Sequence, residues 1–130
     1  MADQGSLPPP GEFKGYTLNE FQVQAAAAIE AGENVLVAAP TGSGKTLVAE
    51  YAIARALRLG RRAIYTSPIK ALSNQKFRDF RAEGQRVGLM TGDLTLDADA
   101  PLLIMTTEIF RNAVFEDPGR FADTECMVFD

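Results

Sequence analysis

Five short apolar runs punctuate this chain, separated by helix-length segments, and that alternation restricts its fold more than any other feature. The runs are Asn34–Ala39, Ala63–Thr66, Val87–Met90, Leu102–Met105 and Cys126–Phe129. They are close to continuously apolar, as in strands covered on both faces. Helical spacing predicts helices over Asn19–Ala31, Lys45–Leu59, Lys70–Arg81 and Glu108–Phe115. In the first, Phe21, Ala25, Ala28 and Ile29 share one face, and Gly32 closes it. Strands alternating with helices build βαβ units, so the expected fold class is α/β, a parallel sheet with helices on both faces. The chain has 130 residues, enough for one domain. Residues 1–15, with the run Pro8 to Pro10, are expected to form a flexible leader, and residues 16–130 the domain.

The turn between the first run and the second helix carries chemistry. Ala39-Pro40-Thr41-Gly42-Ser43-Gly44-Lys45-Thr46 approaches the phosphate-loop pattern, with Ala39 where that pattern has glycine. Gly42 and Gly44 let successive amides turn inward as an anion nest. The helix beginning near Lys45 adds its positive end. Lys45 can reach β- and γ-phosphates, and the Thr46 hydroxyl can bind Mg²⁺. The loop alone leaves kinase, transporter ATPase and GTPase open.

Composition narrows the chemistry. There is no histidine and one cysteine, Cys126, so a His-based triad, an internal disulfide and a zinc cluster have no residues to form from. That usage suits a reducing, cytoplasmic compartment. No apolar run reaches the ~20 residues that span a bilayer. The net charge is −4, which by itself argues against a general nucleic-acid binder. Backbone amides and helix N-termini can nevertheless hold phosphates without a basic surface.

Ala39 to Thr46 resembles motif I of superfamily 2 helicases, where Ala commonly takes the first position. Tyr65-Thr66-Ser67-Pro68-Ile69-Lys70-Ala71-Leu72-Ser73-Asn74-Gln75-Lys76-Phe77 is similar to motif Ia of the Ski-like DExH group, the exosome-assisting RNA helicases. Val87 to Asp93 and Ile104 to Arg111 resemble motifs Ib and Ic. The resemblance implies a RecA-like P-loop NTPase domain that uses ATP and Mg²⁺. Ser67, Pro68, Lys70, Ser73, Gly92, Asp93, Thr107 and Glu108 would lie along a nucleic-acid backbone. A helix cap at Thr106 or Thr107 is expected as well.

Tyr16 to Gln22 is similar to the family's Q-type segment, which implies that Gln22 reads the adenine edge and Tyr16 stacks on the ring. Phe21 is expected to pack inward. Met127-Val128-Phe129-Asp130 resembles the start of motif II, which gives Asp130 to the Mg²⁺. The catalytic set implied is Lys45, Thr46 and Asp130. The chain ends at Asp130, so the domain is expected to be C-terminally truncated within motif II. Alone, it is expected to bind nucleotide weakly and not turn it over. The parent would be an ATP-dependent RNA helicase acting on single-stranded RNA, with DNA as the alternative strand and a second RecA-like domain as partner. The rival readings are a DNA-repair helicase or translocase, and an inert fragment.

Overall fold

The computed structural model describes residues 12–32 and 44–130. The expected first strand, residues 34–39, lies outside them. The chain divides into two compact units, Met1–Arg55 and Ala56–Asp130.

In the first unit, β1 (Glu12–Phe13) pairs antiparallel with β2 (Tyr16–Thr17). Lys14 and Gly15, both at positive φ (52° and 79°), make the two-residue turn. Residues 12–15, expected within the leader, take part in this hairpin. Phe13 meets Tyr51 edge-on, with ring centroids 5.3 Å apart. Helix α1 (Glu20–Glu30) opens on a reciprocal capping box. Asn19 Oδ1 accepts from the Gln22 amide at 3.1 Å, and Gln22 Oε1 accepts from the Asn19 amide at 2.9 Å. Ala25, Ala26 and Ile29 pack with Val48 and Tyr51 of α2 (Lys45–Arg58), with Phe21 at the margin. Ala28, expected inward, is only half-buried. Glu30 holds the two helices together, accepting from Tyr51 Oη at 2.6 Å and from Arg55 Nε at 2.9 Å.

The second unit is a five-stranded sheet. Its strands are β3 (Arg62–Ser67), β4 (Val87–Met90), β5 (Thr95–Leu96), β6 (Leu102–Thr106) and β7 (Thr124–Phe129). Their order is β5-β4-β6-β3-β7. The pairs β4·β6, β6·β3 and β3·β7 are parallel. The short β5 is antiparallel to β4, an edge that the expected all-parallel sheet lacks.

Helix α3 (Lys70–Ala82) and helix α4 (Thr107–Glu116) cover opposite faces. Ala113 of α4 packs with Ile64, Leu103 and Met105, flanked by Ile109 and Phe110. Side chains alternate along a strand, so Tyr65 points the other way. There the Lys76 ammonium of α3 lies 5.8 Å from the Tyr65 ring centre. Gly88 sits inside β4 because the backbone is crowded: a Cβ would collide with the Asp97 carbonyl and touch Leu103 Cδ1 at 3.0 Å.

Candidate functional site

Parallel strands end on the same edge of a sheet, and in open α/β sheets that edge is where ligands bind. In the second unit β3, β4, β6 and β7 are parallel through β6 and β3, and all four end there. Pro68 and Lys70 follow β3, Gly92 and Asp93 follow β4, Thr107 and Glu108 follow β6, and Asp130 follows β7. Residues scattered over more than sixty positions of sequence are thereby brought to one edge.

The helices leaving this edge begin differently from α1. Helix α3 has Ile69 at its N-cap and α4 has Thr106, and neither makes a side-chain capping bond. Thr106 takes the expected cap position, but its hydroxyl does not bond to the helix. The first-turn amides of both helices therefore lack the side-chain acceptor that α1 has. Helix α3 also has no acidic residue in its first turn, whereas α4 has Glu108. No acidic side chain of its own first turn offsets the positive end of α3. Ser67 Oγ turns inward and accepts from the Ile69 amide at 3.3 Å. Lys70 is ion-paired with Asp93.

Ser73 is a correction. It is completely buried, so its hydroxyl cannot touch a strand laid along the edge. The sequence carried the signal: Ser73 precedes the buried Phe77 and Phe80 by four and seven residues, on one helical stripe. Ser67 is equally buried, so the expected contact to a nucleic-acid backbone is not open to it either.

Asp130 continues the β3·β7 ladder, its amide donating to the Thr66 carbonyl at 3.0 Å. Its carboxylate accepts a hydrogen bond from the Tyr65 hydroxyl. Tyr65 had no role in the sequence expectations. Its signal lies in the register, where Tyr65 pairs with Val128 and so shares a face with Asp130 two residues on.

In the first unit, Lys45 and Thr46 are exposed at the start of the 14-residue α2, whose first turn has no acidic residue. Ala39, Pro40, Thr41, Gly42 and Ser43 lie outside the described residues. Gly44 is described, at φ 90°. Its carbonyl accepts from Gln22 Nε2 at 3.0 Å, and a Cβ on Gly44 would collide with that amide. Gln22 is 6% exposed, and each end of its amide is engaged. An amide keeps one further donor and one further acceptor, so adenine recognition requires access rather than rupture of every existing bond. Tyr16 is 64% exposed on β2.

Thr46 and Asp130 supply hard oxygen donors of the kind Mg²⁺ selects. No group of three or more His, Cys, Asp or Glu gathers among the described residues. Among the described residues no helix is long and apolar enough to cross a membrane.

Residues 19–130 match the family described as DEAD/DEAH box helicase. The chain is 49% identical over 122 residues to a DExH-box ATP-dependent RNA helicase of Arabidopsis thaliana, which covers 94% of this chain and 12% of that protein. It is 51% identical over 122 residues to the ATP-dependent RNA helicase mtr4 of Schizosaccharomyces pombe, covering 94% and 11%. It is 48% identical over 126 residues to the antiviral helicase SKI2 of Saccharomyces cerevisiae, covering 95% and 10%. The chain therefore spans about a tenth of the length of the curated relatives it matches.

Proposed function

Because the chain belongs to the DEAD/DEAH box helicase family, we propose that it is the ATP-binding portion of an ATP-dependent RNA helicase, the first RecA-like domain as far as motif II. That helicase couples ATP hydrolysis to movement along single-stranded RNA and so to unwinding. A second RecA-like domain of the same protein closes on this one, and the lone Cys126 suits a reducing cytoplasm.

Phosphoryl transfer in such motors is mostly positioning and charge stabilisation. By its likeness to motif I, the stretch from Ala39 to Gly44 would offer backbone amides to the phosphates, and Lys45 adds a point charge at the head of α2. Thr46 and Asp130 would hold Mg²⁺, which when bound neutralises phosphate charge. Gln22 reads the adenine edge and Tyr16 offers a flat ring. The free amides of α3 and α4 hold the RNA backbone without reading bases. Phosphates held by backbone amides explain how a chain of net charge −4 can serve RNA.

The observation that favours RNA is that relatives at 49 and 51% identity bear the name ATP-dependent RNA helicase. The test is the ATPase of the full-length protein with single-stranded RNA against DNA. Stronger stimulation by RNA, lost in Lys45→Ala, is expected. Stimulation by DNA alone would replace this assignment with a DNA translocase. The 130-residue chain by itself is expected to show no turnover above background. Turnover of the isolated chain that Lys45→Ala abolishes would overturn that part.

A further inference from the structure

The first residue of α3 is Lys70, a cation at the positive end of a helix, where a cation is disfavoured. No acidic residue in that turn offsets it. The offset comes from another element: Asp93, in the turn between β4 and β5, forms an ion pair with Lys70. The turn is held from below by Thr91, which is 6% exposed. The Thr91 amide donates to the Leu94 carbonyl at 2.9 Å, and the Asp93 amide donates to Thr91 Oγ1 at 3.4 Å. A carboxylate is thus presented to a lysine beside an uncapped helix N-terminus, the arrangement that would otherwise receive a phosphate.

We propose that Asp93 is an internal counter-ion of Lys70 that an RNA phosphate displaces, so that the β4–β5 turn gates the α3 phosphate site. The proposal rests on the assignment of this edge to RNA. It makes Asp93 a positioning residue, not an RNA ligand. Both side chains are well exposed, 52% for Lys70 and 70% for Asp93. Exposed pairs are weak and screened by salt, so exchange of a carboxylate for a phosphate is easy. While RNA is absent, Asp93 keeps the lysine over the helix end and discourages weaker anions. When a phosphate arrives, Lys70 stays and the Asp93 carboxylate rotates away about its own side-chain bonds. Gly92, next to Asp93, leaves open space where a side chain would stand, which gives the phosphate room to approach.

The test is a double-mutant cycle in the full-length protein, read as the Kd for a fluorescein-labelled single-stranded oligouridylate. Asp93→Asn is expected to tighten binding by about two- to fivefold, the range of one exposed ion pair. Asp93→Glu should bind like the unaltered protein. Lys70→Ala should weaken binding, and in that background Asp93→Asn should change nothing. Equal tightening in both backgrounds would mean a general charge effect and would overturn the proposal, as would weaker binding by Asp93→Asn alone. If Lys70→Ala leaves the Kd unchanged, the assignment of this edge to RNA fails, and the gate with it. Unchanged thermal melting of each variant shows that the folds are comparable.

Discussion

Gln22 Nε2 donates to the Gly44 carbonyl at 3.0 Å, while Oε1 of the same side chain completes the capping box of α1. One amide therefore ties the start of α1 to the last residue of the phosphate loop. Removing it is expected to affect folding and nucleotide binding together. Gln22→Ala is expected to lower stability by about 1–2 kcal/mol, from one lost cap and one lost hydrogen bond to the Gly44 carbonyl, which keeps the Leu47 amide as a donor. Chemical denaturation measures this, and ATP titration should show weaker binding. Gln22→Glu keeps the cap acceptor and loses the donor to Gly44, so it should fold better than the alanine variant and still bind ATP poorly. ATP binding unchanged in both would remove Gln22 from the site.

Gly44→Ala should be more severe for ATP than for folding. The new methyl enters the space of the Gln22 amide, and φ 90° is strained for alanine by about 1–3 kcal/mol. Isothermal titration with ATP should show binding greatly weakened, while circular dichroism retains the helical signal.

Gly88 and Gly92 lie on either side of the end of β4 and predict opposite outcomes. Gly88→Ala forces a methyl against the Asp97 carbonyl, an overpacking that costs about 1–3 kcal/mol in denaturation experiments. Gly92→Ala meets open space and should melt like the unaltered protein. Its cost should appear instead as weaker binding of single-stranded RNA. Loss of stability in Gly92→Ala would mean that this glycine serves the fold.

Tyr65→Phe removes the hydroxyl that donates to the Asp130 carboxylate and keeps the ring beneath Lys76. Partners that orient a metal ligand typically contribute 10- to 100-fold, so the RNA-stimulated ATPase of the full-length protein should fall by about tenfold. The Mg²⁺ concentration giving half-maximal rate should rise, a shift that a purely structural defect would not produce. Unchanged rates at limiting Mg²⁺ would reject the role.

The Arg86–Asp97 pair sets an acid dependence. Arg86 Nε and Nη2 donate to the two Asp97 carboxylate oxygens at 2.9 and 2.8 Å. That hydrogen bonding holds the Asp97 carboxyl below its ordinary value. A carboxyl depressed in the folded state stabilises above its unfolded pKa, and the contribution is lost as pH falls through the folded one. The loss therefore falls below about pH 4. Asp97→Asn should flatten the acid limb of a melting-temperature profile slightly. The difference should shrink in high salt, because both groups are exposed.

Local pattern determined most of the elements. Helices α2 and α3 and strand β4 fall within a residue or so of where periodicity and the bounding Gly and Pro residues put them, because those signals act over a few neighbours. The motif residues at the ends of β3, β4, β6 and β7 came from the family resemblance, and the parallel strands carry them to one edge. The two-residue strands β1, β2 and β5 were not, since such strands exist only through their partners. Only the tertiary structure decided which residues meet. Strand register puts Tyr65 on the same face as Asp130, and the β4–β5 turn brings Asp93 to Lys70. The packing of α3 turned Ser73 inward, against its motif-based assignment, because its stripe belongs to Phe77 and Phe80. Sequence neighbours specify dihedrals and caps. Pairing between distant strands specifies the contacts, and those contacts settle which polar groups remain available to a ligand.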